Sequence, residues 1–348
     1  MASPLGCDEF LRASGAVVDV RSPAEFSQGH IPGAHNLPLF NDAERAEVGT
    51  LYKRSGRQAA TQHGLALAGP RLAAITAEAR AIAAGQEGPL RLHCWRGGLR
   101  SASVAWLLEE MADLRCLLLD GGYKCFRRWV RSALAVARPI LILAGRTGSA
   151  KTEVLQAMAR GGAQVIDLEG LANHRGSSYG GLGLPAQPSS EHYENLLAIT
   201  WNRMRPDRPV WLEAESVQVG RCRIPAELFE QMGKAPMVEL VRPDEERICH
   251  LVSLYGGVAS RRQLLEATRR IARRLGPQRS QRAGEAIEAG DLATAATVVL
   301  QYYDRAYAFE LQRRGGSVHQ VHSVGEGNNA IAARLIDLES TLIPCRPG

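Results

Sequence analysis

The sequence predicts an α/β protein of two domains, each built on a parallel β-sheet, with a helical region ending the second. Short apolar runs alternate with helical stretches along most of the chain, a pattern typical of parallel strands joined by crossover helices. From about Asp244 onward the pattern becomes mostly helical. At 348 residues the chain is long for one domain and suits two.

The first domain is expected to span residues 1–132. Its sequence predicts three buried strands and two helices in alternation, with strands at 16–20, 90–93 and 117–119 and helices at 71–84 and 101–111. The second domain is expected to span 133–348. It begins with the apolar run 140–143, which predicts a strand, and 152–160 predicts the helix after it.

Further along the second domain, residues 165–166 and 210–212 predict two more strands. Residues 175–190 are rich in Gly, Ser and Pro and predict a long loop. Loops of this length in compact domains are usually functional or disordered.

Composition narrows the class of protein and its compartment. The seven cysteines form no C-x-x-C pair, which argues against a zinc site and a disulfide framework and favours a reducing compartment. The N-terminus has no apolar signal-peptide segment, and no apolar run approaches the ~18 residues that span a bilayer. We therefore expect a cytoplasmic protein without a membrane partner. The formal charge of +6 suits a polyanionic partner without requiring one.

A cysteine-containing loop, 93–101, follows a predicted strand and precedes a helix. Backbone N–H groups at such a helix N-terminus form a cradle for a tetrahedral anion, and the same positive end lowers the pKa of a thiol. Cys94 is the candidate catalytic thiol, and Arg96 and Arg100 are candidates for binding the anion. The simpler alternative is a buried structural cysteine beside a turn.

The segment before this loop favours one fold. Residues 19–34, DVRSPAEFSQGHIPGA, resemble the entry motif of rhodanese domains, which carry sulfur or selenium on the loop cysteine. The loop alone, with its H-C-x5-R-S pattern, also fits a cysteine-dependent phosphatase. Some phosphatases share the rhodanese fold, so this resemblance identifies the fold more firmly than the reaction.

A phosphate-binding loop is predicted at residues 145–152, GRTGSAKT, between a strand and a helix. That is the context of a P-loop, whose backbone N–H groups wrap a diphosphate. Its candidate phosphate-binding residues are Gly145, Thr147, Gly148, Ser149, Lys151 and Thr152. The departure from the pattern is Ala150, where glycine is usual. Alanine tolerates this position only if φ is negative there, so the substitution bears on tight nucleotide binding but not on the anion cradle.

Three residues are candidate ligands for a magnesium ion beside the phosphates: Thr152 in the P-loop, Asp167 at a strand end and Glu213 after the strand 210–212. Glu215 is an additional acid at the same strand end. The alternative is that these acids are solvated surface residues.

Taken together, the two loops and several further motifs resemble the tRNA 2-selenouridine synthase family. The shared motifs extend from residue 17 to about 307 and include 48–53 (VGTLYK), 120–128 (DGGYKCFRR), 166–177 (IDLEGLANHRGS), 187–189 (QPS) and 301–304 (QYYD). Ala150 and Ala214 depart from the family pattern. The resemblance implies a rhodanese-like domain followed by a P-loop NTPase-like α/β domain with a helical C-terminal part.

The resemblance also implies an activity. The family alkylates wobble 2-thiouridine of tRNA with geranyl diphosphate, and selenophosphate then replaces the S-geranyl group to give 2-selenouridine. It implies tRNA and a selenophosphate supplier as partners, no tightly bound cofactor, and magnesium as a candidate ion. Use of ATP by the P-loop stays open, and the sequence does not give the oligomeric state.

Two other classes of protein remain open. One is a rhodanese-fold cysteine phosphatase or sulfurtransferase fused to an ATP-dependent kinase-like module. The other is a nucleotide-gated sensor whose cysteine loop only binds an anion, although such a module would have no need of the Cys94 thiol.

Two basic clusters are candidates for RNA contact. Residues 261–282 hold eight arginines and one acid, and Arg262, Arg269 and Arg273 fall on one face of a predicted helix. Arg127, Arg128 and Trp129 form the second cluster, near the domain junction, where the tryptophan is expected to stack on a base. The alternatives are a solvated helix face and a core tryptophan.

Overall fold

The structure is a computed structural model that describes residues 2–314 and 318–343, and Cys345 lies outside them. The chain divides into two compact units between Ala133 and Leu134. This division lies one residue from the domain boundary expected from the sequence. No helix within the described ranges is long and apolar enough to cross a membrane.

The first unit contains a five-stranded parallel sheet in the order β1-β5-β4-β2-β3. Its strands are β1 (Ser3–Leu5), β2 (Val17–Asp19), β3 (His35–Asn36), β4 (Leu90–His93) and β5 (Cys116–Leu119). Its helices are α1 (Cys7–Arg12), α2 (Pro23–Gln28), α3 (Asp42–Ala68), α4 (Leu72–Ala83), α5 (Leu99–Ala112) and α6 (Gly122–Ala135). The three strands and two helices predicted for this unit are present. The elements that were not predicted are β1, β3, α1, α2, α3, which is kinked at Gly56, and α6.

The core of the first unit lies against its central strands. Val18 of β2 and Leu92 of β4 are fully buried and pack with Val104 and Leu108 of α5. Strands buried on both faces need apolar residues throughout, which explains why these runs read as continuous rather than alternating.

The second unit contains a five-stranded parallel sheet in the order β12-β11-β6-β8-β7 and a short antiparallel pair, β9 with β10. Its strands are β6 (Ile140–Ala144), β7 (Gln164–Ile166), β8 (Val210–Glu213), β9 (Gln218–Val219), β10 (Cys222–Arg223), β11 (Met237–Val241) and β12 (Val318–His322). The sheet confirms the predicted α/β class. Strand β12, which pairs along its length with β11, was not predicted. The other described elements after residue 244 are helices, as the sequence predicts.

The helices of the second unit fall into two groups. Those around the sheet are α7 (Lys151–Arg160), α8 (Leu168–Ala172), α9 (Ser190–Arg203), α10 (Ala226–Lys234), α15 (Asn328–Asp337) and α16 (Glu339–Leu342). The others are α11 (Asp244–Gly256), α12 (Arg261–Leu275), α13 (Pro277–Ala289) and α14 (Leu292–Arg314). Buried residues of α12, α13 and α14 form a separate apolar core with Tyr179 and Leu182. The segment between α8 and α9 is the long loop that the sequence predicts.

Candidate functional site

The cysteine loop lies where the sequence places it, between β4 and α5. Cys94 follows β4 directly, and its side chain is buried. The Ser101 hydroxyl, one turn into α5, donates a hydrogen bond to Cys94 Sγ over 3.3 Å. Burial raises the pKa of the thiol, but the Ser101 hydrogen bond and the charge of Arg100 outweigh it, so the pKa of Cys94 lies below its ordinary value. The loop therefore favours a thiolate.

The two candidate arginines of the loop differ in their surroundings. Arg100 is half-buried, and its Nη1 donates to Glu25 Oε2 over 2.9 Å. Arg96 is exposed, and its backbone amide also helps to lower the pKa of Cys94. Glu25 belongs to the 19–34 motif, so this motif positions an anion-binding candidate of the loop, a role that sequence reasoning missed.

The same motif supports the loop from beneath. Arg21 and Asp19 form a fully buried ion pair with a 2.6 Å contact, and the Arg21 guanidinium stacks on the ring of Tyr123 at 3.7 Å. Burial lowers the pKa of His93, the residue before the cysteine, to about 4. His93 is therefore neutral near pH 7, and the charged groups next to it are those of the Asp19–Arg21 ion pair.

The glycine pair that opens α6 allows a close approach to the loop. Gly122 has a φ of 58°, and a Cβ atom there would lie 2.4 Å from the backbone oxygen of Cys94. The Tyr123 N–H donates to this oxygen over 2.8 Å. Only glycine fits at such a position, which explains why DGGYK accompanies the cysteine loop.

The P-loop follows β6, the strand that lies between β8 and β11. The two strands that follow β6 in the chain lie on one side of it and the later strands β11 and β12 lie on the other side. Ligands of open α/β sheets bind at the carboxyl ends of the strands at such a switch point. Lys151 Nζ donates to the Gly145 backbone oxygen over 2.9 Å, and Ser149 is buried without a hydrogen-bond partner for its hydroxyl among the described residues. The loop residues predicted to bind phosphate are therefore brought together.

The backbone of Ala150 corrects an expectation. Its φ is 58° and its ψ is 37°, in the left-handed region rather than at the negative φ that alanine is expected to need there. A residue with a Cβ pays roughly 1–2 kcal/mol for this conformation. Ala150 thus keeps the loop shape that glycine normally gives, at a cost in strain.

The acid that Thr152 contacts is neither of the two candidate magnesium ligands, Asp167 and Glu213. Thr152 Oγ1 donates to Glu169 Oε2 over 3.0 Å. Asp167 instead caps the N-terminus of α8 by accepting from the Gly170 N–H. Glu213 is fully buried and accepts from the Leu168 N–H over 3.0 Å. The structure thus pairs Thr152 with Glu169, which sequence reasoning missed although its motif was noted.

Glu169 and Glu215 form a half-buried carboxyl pair beside the lysine of the P-loop. Burial raises the pKa of both carboxyl groups, and the charge of Glu169 raises the pKa of Glu215 further. The charge of Lys151 opposes the rise in both. The two carboxyls share a hydrogen bond, so the pair retains a proton at a pH where isolated glutamates are ionised. Among residues 2–314 and 318–343, no cluster of three or more His, Cys, Asp or Glu side chains is arranged as a metal site.

A buried arginine on α11 supports the P-loop from the side. Arg247 Nε donates to the Thr147 backbone oxygen over 2.9 Å. Its other nitrogens bind Asp304 at 2.5 Å and 3.1 Å and Asp244 at 2.7 Å. Asp304 ends the QYYD motif, which therefore acts through Arg247 on the loop. No local signal in the sequence marks Arg247.

The arginines of α12 lie on its exposed face, opposite its buried residues. Arg262 forms an exposed ion pair with Glu266 at 3.1 Å. Arg269 and Arg273 line a groove against α13 that also contains Glu285. The helix presents the predicted basic stripe, and its contact with RNA stays a prediction.

The second basic cluster lies on α6. Arg128 is exposed, while Arg127 is half-buried. The half-buried Trp129 stacks on Phe126 at 5.8 Å, and its indole N–H donates to Asp8 Oδ1 over 2.9 Å. The indole is thus engaged within the first unit, and its stacking on a base stays a prediction.

The fold and the two loops define a class of protein: a rhodanese-like domain joined to a P-loop domain. A family model for a rhodanese-like domain matches residues 7–128, and a model for the tRNA 2-selenouridine synthase AAA domain matches residues 138–335. The chain belongs to the tRNA 2-selenouridine synthase family.

Proteins described as tRNA 2-selenouridine synthase are similar over most of the chain. The one from Marinobacter nauticus is 35% identical over 91% of this chain and 95% of its own. The one from Shewanella denitrificans is 41% identical over 71% of this chain and 66% of its own. The one from Ectopseudomonas mendocina is 35% identical over 87% of this chain and 88% of its own. The family resemblance in the sequence is therefore confirmed.

Proposed function

We propose that this protein is a tRNA-modifying transferase that converts wobble 2-thiouridine to 2-selenouridine through an S-geranyl intermediate. The observation that carries the proposal is the presence of two separate anion cradles in one chain of this family, one around Cys94 and one around Lys151. Two anionic substrates, selenophosphate and geranyl diphosphate, match these two cradles in number and charge.

The first step is alkylation of the tRNA, and it is assigned to the P-loop. The sulfur of 2-thiouridine attacks C1 of the geranyl group, the C1–O bond breaks, and diphosphate leaves with the bonding electrons. The nucleobase loses its N3 proton. Lys151 and the loop N–H groups stabilise the charge that develops on the departing diphosphate. In this step the P-loop binds a prenyl diphosphate and hydrolyses no nucleotide.

A magnesium ion is compatible with this site. Thr152 and Glu169 would hold it, because a hydroxyl and a half-buried carboxylate already meet there. When bound, the ion would neutralise charge on the diphosphate.

The second step is assigned to the cysteine loop. Selenium of selenophosphate bonds to C2 of the base, the C2–S bond breaks, and geranylthiol leaves after taking up a proton. Water then cleaves the Se–P bond and releases inorganic phosphate. Cys94 positions the selenium donor, with Arg96 and Arg100 holding its phosphoryl oxygens. Alkylation aids this step, because it makes sulfur a better leaving group.

The partners follow from this chemistry. The tRNA is the substrate, and the arginines of α12 and α6 supply candidate phosphate contacts. Selenophosphate must come from an enzyme that activates selenium. This assignment places the protein in the cytoplasm, with its tRNA substrate.

The proposal is tested by reconstitution with purified protein, 2-thiouridine tRNA, geranyl diphosphate and selenophosphate, followed by mass analysis of the nucleosides. We expect Cys94→Ser to accumulate S-geranyl-2-thiouridine and form no 2-selenouridine. We expect Lys151→Ala to slow the first step by about 100-fold, the scale of losing one charged group at a developing anion. Matched controls are Cys249→Ser and Lys234→Ala, because both residues are exposed.

Two results would contradict the roles assigned to the two loops. 2-Selenouridine formed by Cys94→Ser at the wild-type rate refutes the role of the cysteine loop. Loss of ATP turnover in Lys151→Ala with intact alkylation would instead favour the kinase-like use of the P-loop. Cells that lack the protein should contain tRNA without 2-selenouridine.

A further inference from the structure

A partly open cleft lies in the second unit beside the P-loop. Its walls come mainly from α11 and α14, with further contributions from α12 and α13. Leu251, Leu264, Ile287, Ala296 and Val299 are among the apolar side chains that line it. A cleft so apolar is suited to a hydrocarbon rather than to a polar ligand.

The cleft is continuous with the P-loop. Thr147, in the middle of the loop, is one of its lining residues. At the next loop residue, Gly148, an added Cβ atom would lie 3.1 Å from Leu251 Cγ. Leu251 therefore contacts the loop and also lines the cleft. A phosphate group held by the loop N–H groups would have its substituent next to this apolar wall.

Three of the polar side chains that line the cleft, Ser177, Tyr179 and Tyr303, already form hydrogen bonds within the protein. The Tyr303 hydroxyl accepts from the Ser178 N–H over 3.1 Å. The Tyr179 hydroxyl and the Thr268 hydroxyl bond each other at 2.8 Å, and the Ser177 hydroxyl accepts from the Tyr179 N–H over 3.2 Å. A nucleobase buried here would leave its own polar edge poorly satisfied, which is costly. A hydrocarbon chain has no such edge.

We propose that this cleft binds the hydrocarbon chain of an allylic prenyl diphosphate whose diphosphate occupies the P-loop. The juxtaposition of an anion cradle and an apolar cleft that share Thr147 is what carries the assignment. Naming the chain as prenyl rests on the function proposed above, whereas the amphiphilic character of the ligand rests on the structure alone. The helices α11 and α14 are then the elements that select the length of the chain.

The test compares the affinities of inorganic diphosphate, dimethylallyl diphosphate and geranyl diphosphate for the full-length protein by calorimetry. Geranyl diphosphate has five more carbons than dimethylallyl diphosphate. We expect it to bind about 10- to 1,000-fold more tightly, the upper limit being complete burial of those carbons. Inorganic diphosphate reports on the P-loop alone.

Two substitutions of alanine by phenylalanine on α14 form a matched pair. Ala296 lines the cleft, whereas Ala306 is exposed on the same helix. We expect Ala296→Phe to reduce the preference for geranyl over dimethylallyl diphosphate to less than about 3-fold, because the ring fills the space of the added carbons. Binding of inorganic diphosphate should not change. Ala306→Phe should behave as the wild type.

A second measurement uses the wild-type protein, so its outcome does not depend on whether a variant folds. A geranyl diphosphate analogue with a diazirine at the end of its chain should label wild-type peptides from α11 or α14. Excess geranyl diphosphate should suppress the label. Labelling confined to other parts of the chain would overturn the assignment, as would a chain-length preference that Ala296→Phe leaves intact.

The outcomes separate this assignment from the proposed function. If the chain-length preference depends on Ala296 but no S-alkylated tRNA forms, the cleft assignment stands and the proposed function fails. If tRNA is alkylated while the preference is insensitive to Ala296→Phe, the function stands and the cleft assignment fails. A nucleotide that binds more tightly than geranyl diphosphate and loses affinity in Ala296→Phe would show that the cleft binds a nucleobase.

Discussion

The ion pair behind the P-loop offers a quantitative test of how the loop is held. In Arg247→Met, the loop loses the hydrogen bond to the Thr147 backbone oxygen, and Asp304 loses its bidentate partner. The Arg247 side chain is 1% exposed and that of Asp304 is 23% exposed, so the pair is largely desolvated. Removing one member of a buried pair costs about 3–5 kcal/mol.

This loss translates into a measurable melting shift. For a domain of this size, each kcal/mol lowers the melting temperature by about 2–4 °C, which gives about 6–20 °C for Arg247→Met. Arg146→Met is the control. Arg146 lies 3.9 Å from the same Asp304 carboxylate but is 53% exposed, so its loss should cost less than about 1 kcal/mol.

The assay is scanning calorimetry of the full-length protein, with hydrogen exchange to assign the shifted transition to the second unit. Inorganic diphosphate should also bind more weakly to Arg247→Met, because the loop is less well fixed. Equal melting shifts in the two variants would refute the reasoning, since they would show that burial of the arginine adds nothing. Hydrogen exchange in the P-loop peptide that is unchanged in Arg247→Met would also refute the reasoning.

Two further predictions concern the thiol and the RNA surface. Ser101→Ala removes a hydrogen bond that lowers the pKa of Cys94, so the acidic limb of the pH–rate profile for selenation should move to higher pH, and an unmoved limb would contradict the role of Ser101. Replacing Arg262, Arg269 and Arg273 together with Gln should weaken tRNA binding and flatten the slope of log affinity against log salt by about 2 to 3. A slope equal to that of the wild type would contradict this contact and would favour the cluster on α6 instead.

The contrast between Ala150 and Gly122 shows where reasoning from sequence reaches its limit. At Gly122 the residue type indicates the close approach of the Cys94 backbone, because any side chain would overlap the Cys94 backbone oxygen. At Ala150 the residue type suggests a negative φ, yet the surrounding loop imposes the left-handed conformation. Tertiary context overrides a preference of roughly 1–2 kcal/mol when the loop and the helix after it require it.

The sequence alone determined the α/β class, both loops and their positions between strand and helix. These features depend on local patterns: apolar runs that form buried strands, and loops whose glycines and small residues allow N–H groups to converge. The family followed from the same motifs. The long loop 175–190 was also predictable from its composition.

The tertiary structure alone decided which distant residues complete the sites. It paired Thr152 with Glu169 instead of Asp167 or Glu213, and it brought Asp304 to Arg247 across 57 residues. Several acids follow strands at the same edge of the sheet, and their spacing in sequence does not say which one faces the loop. That choice depends on helix packing and on which carboxylates already accept a hydrogen bond from a backbone N–H group, as Glu213 does from Leu168. Such long-range competition has no local signature, so only the folded arrangement resolves it.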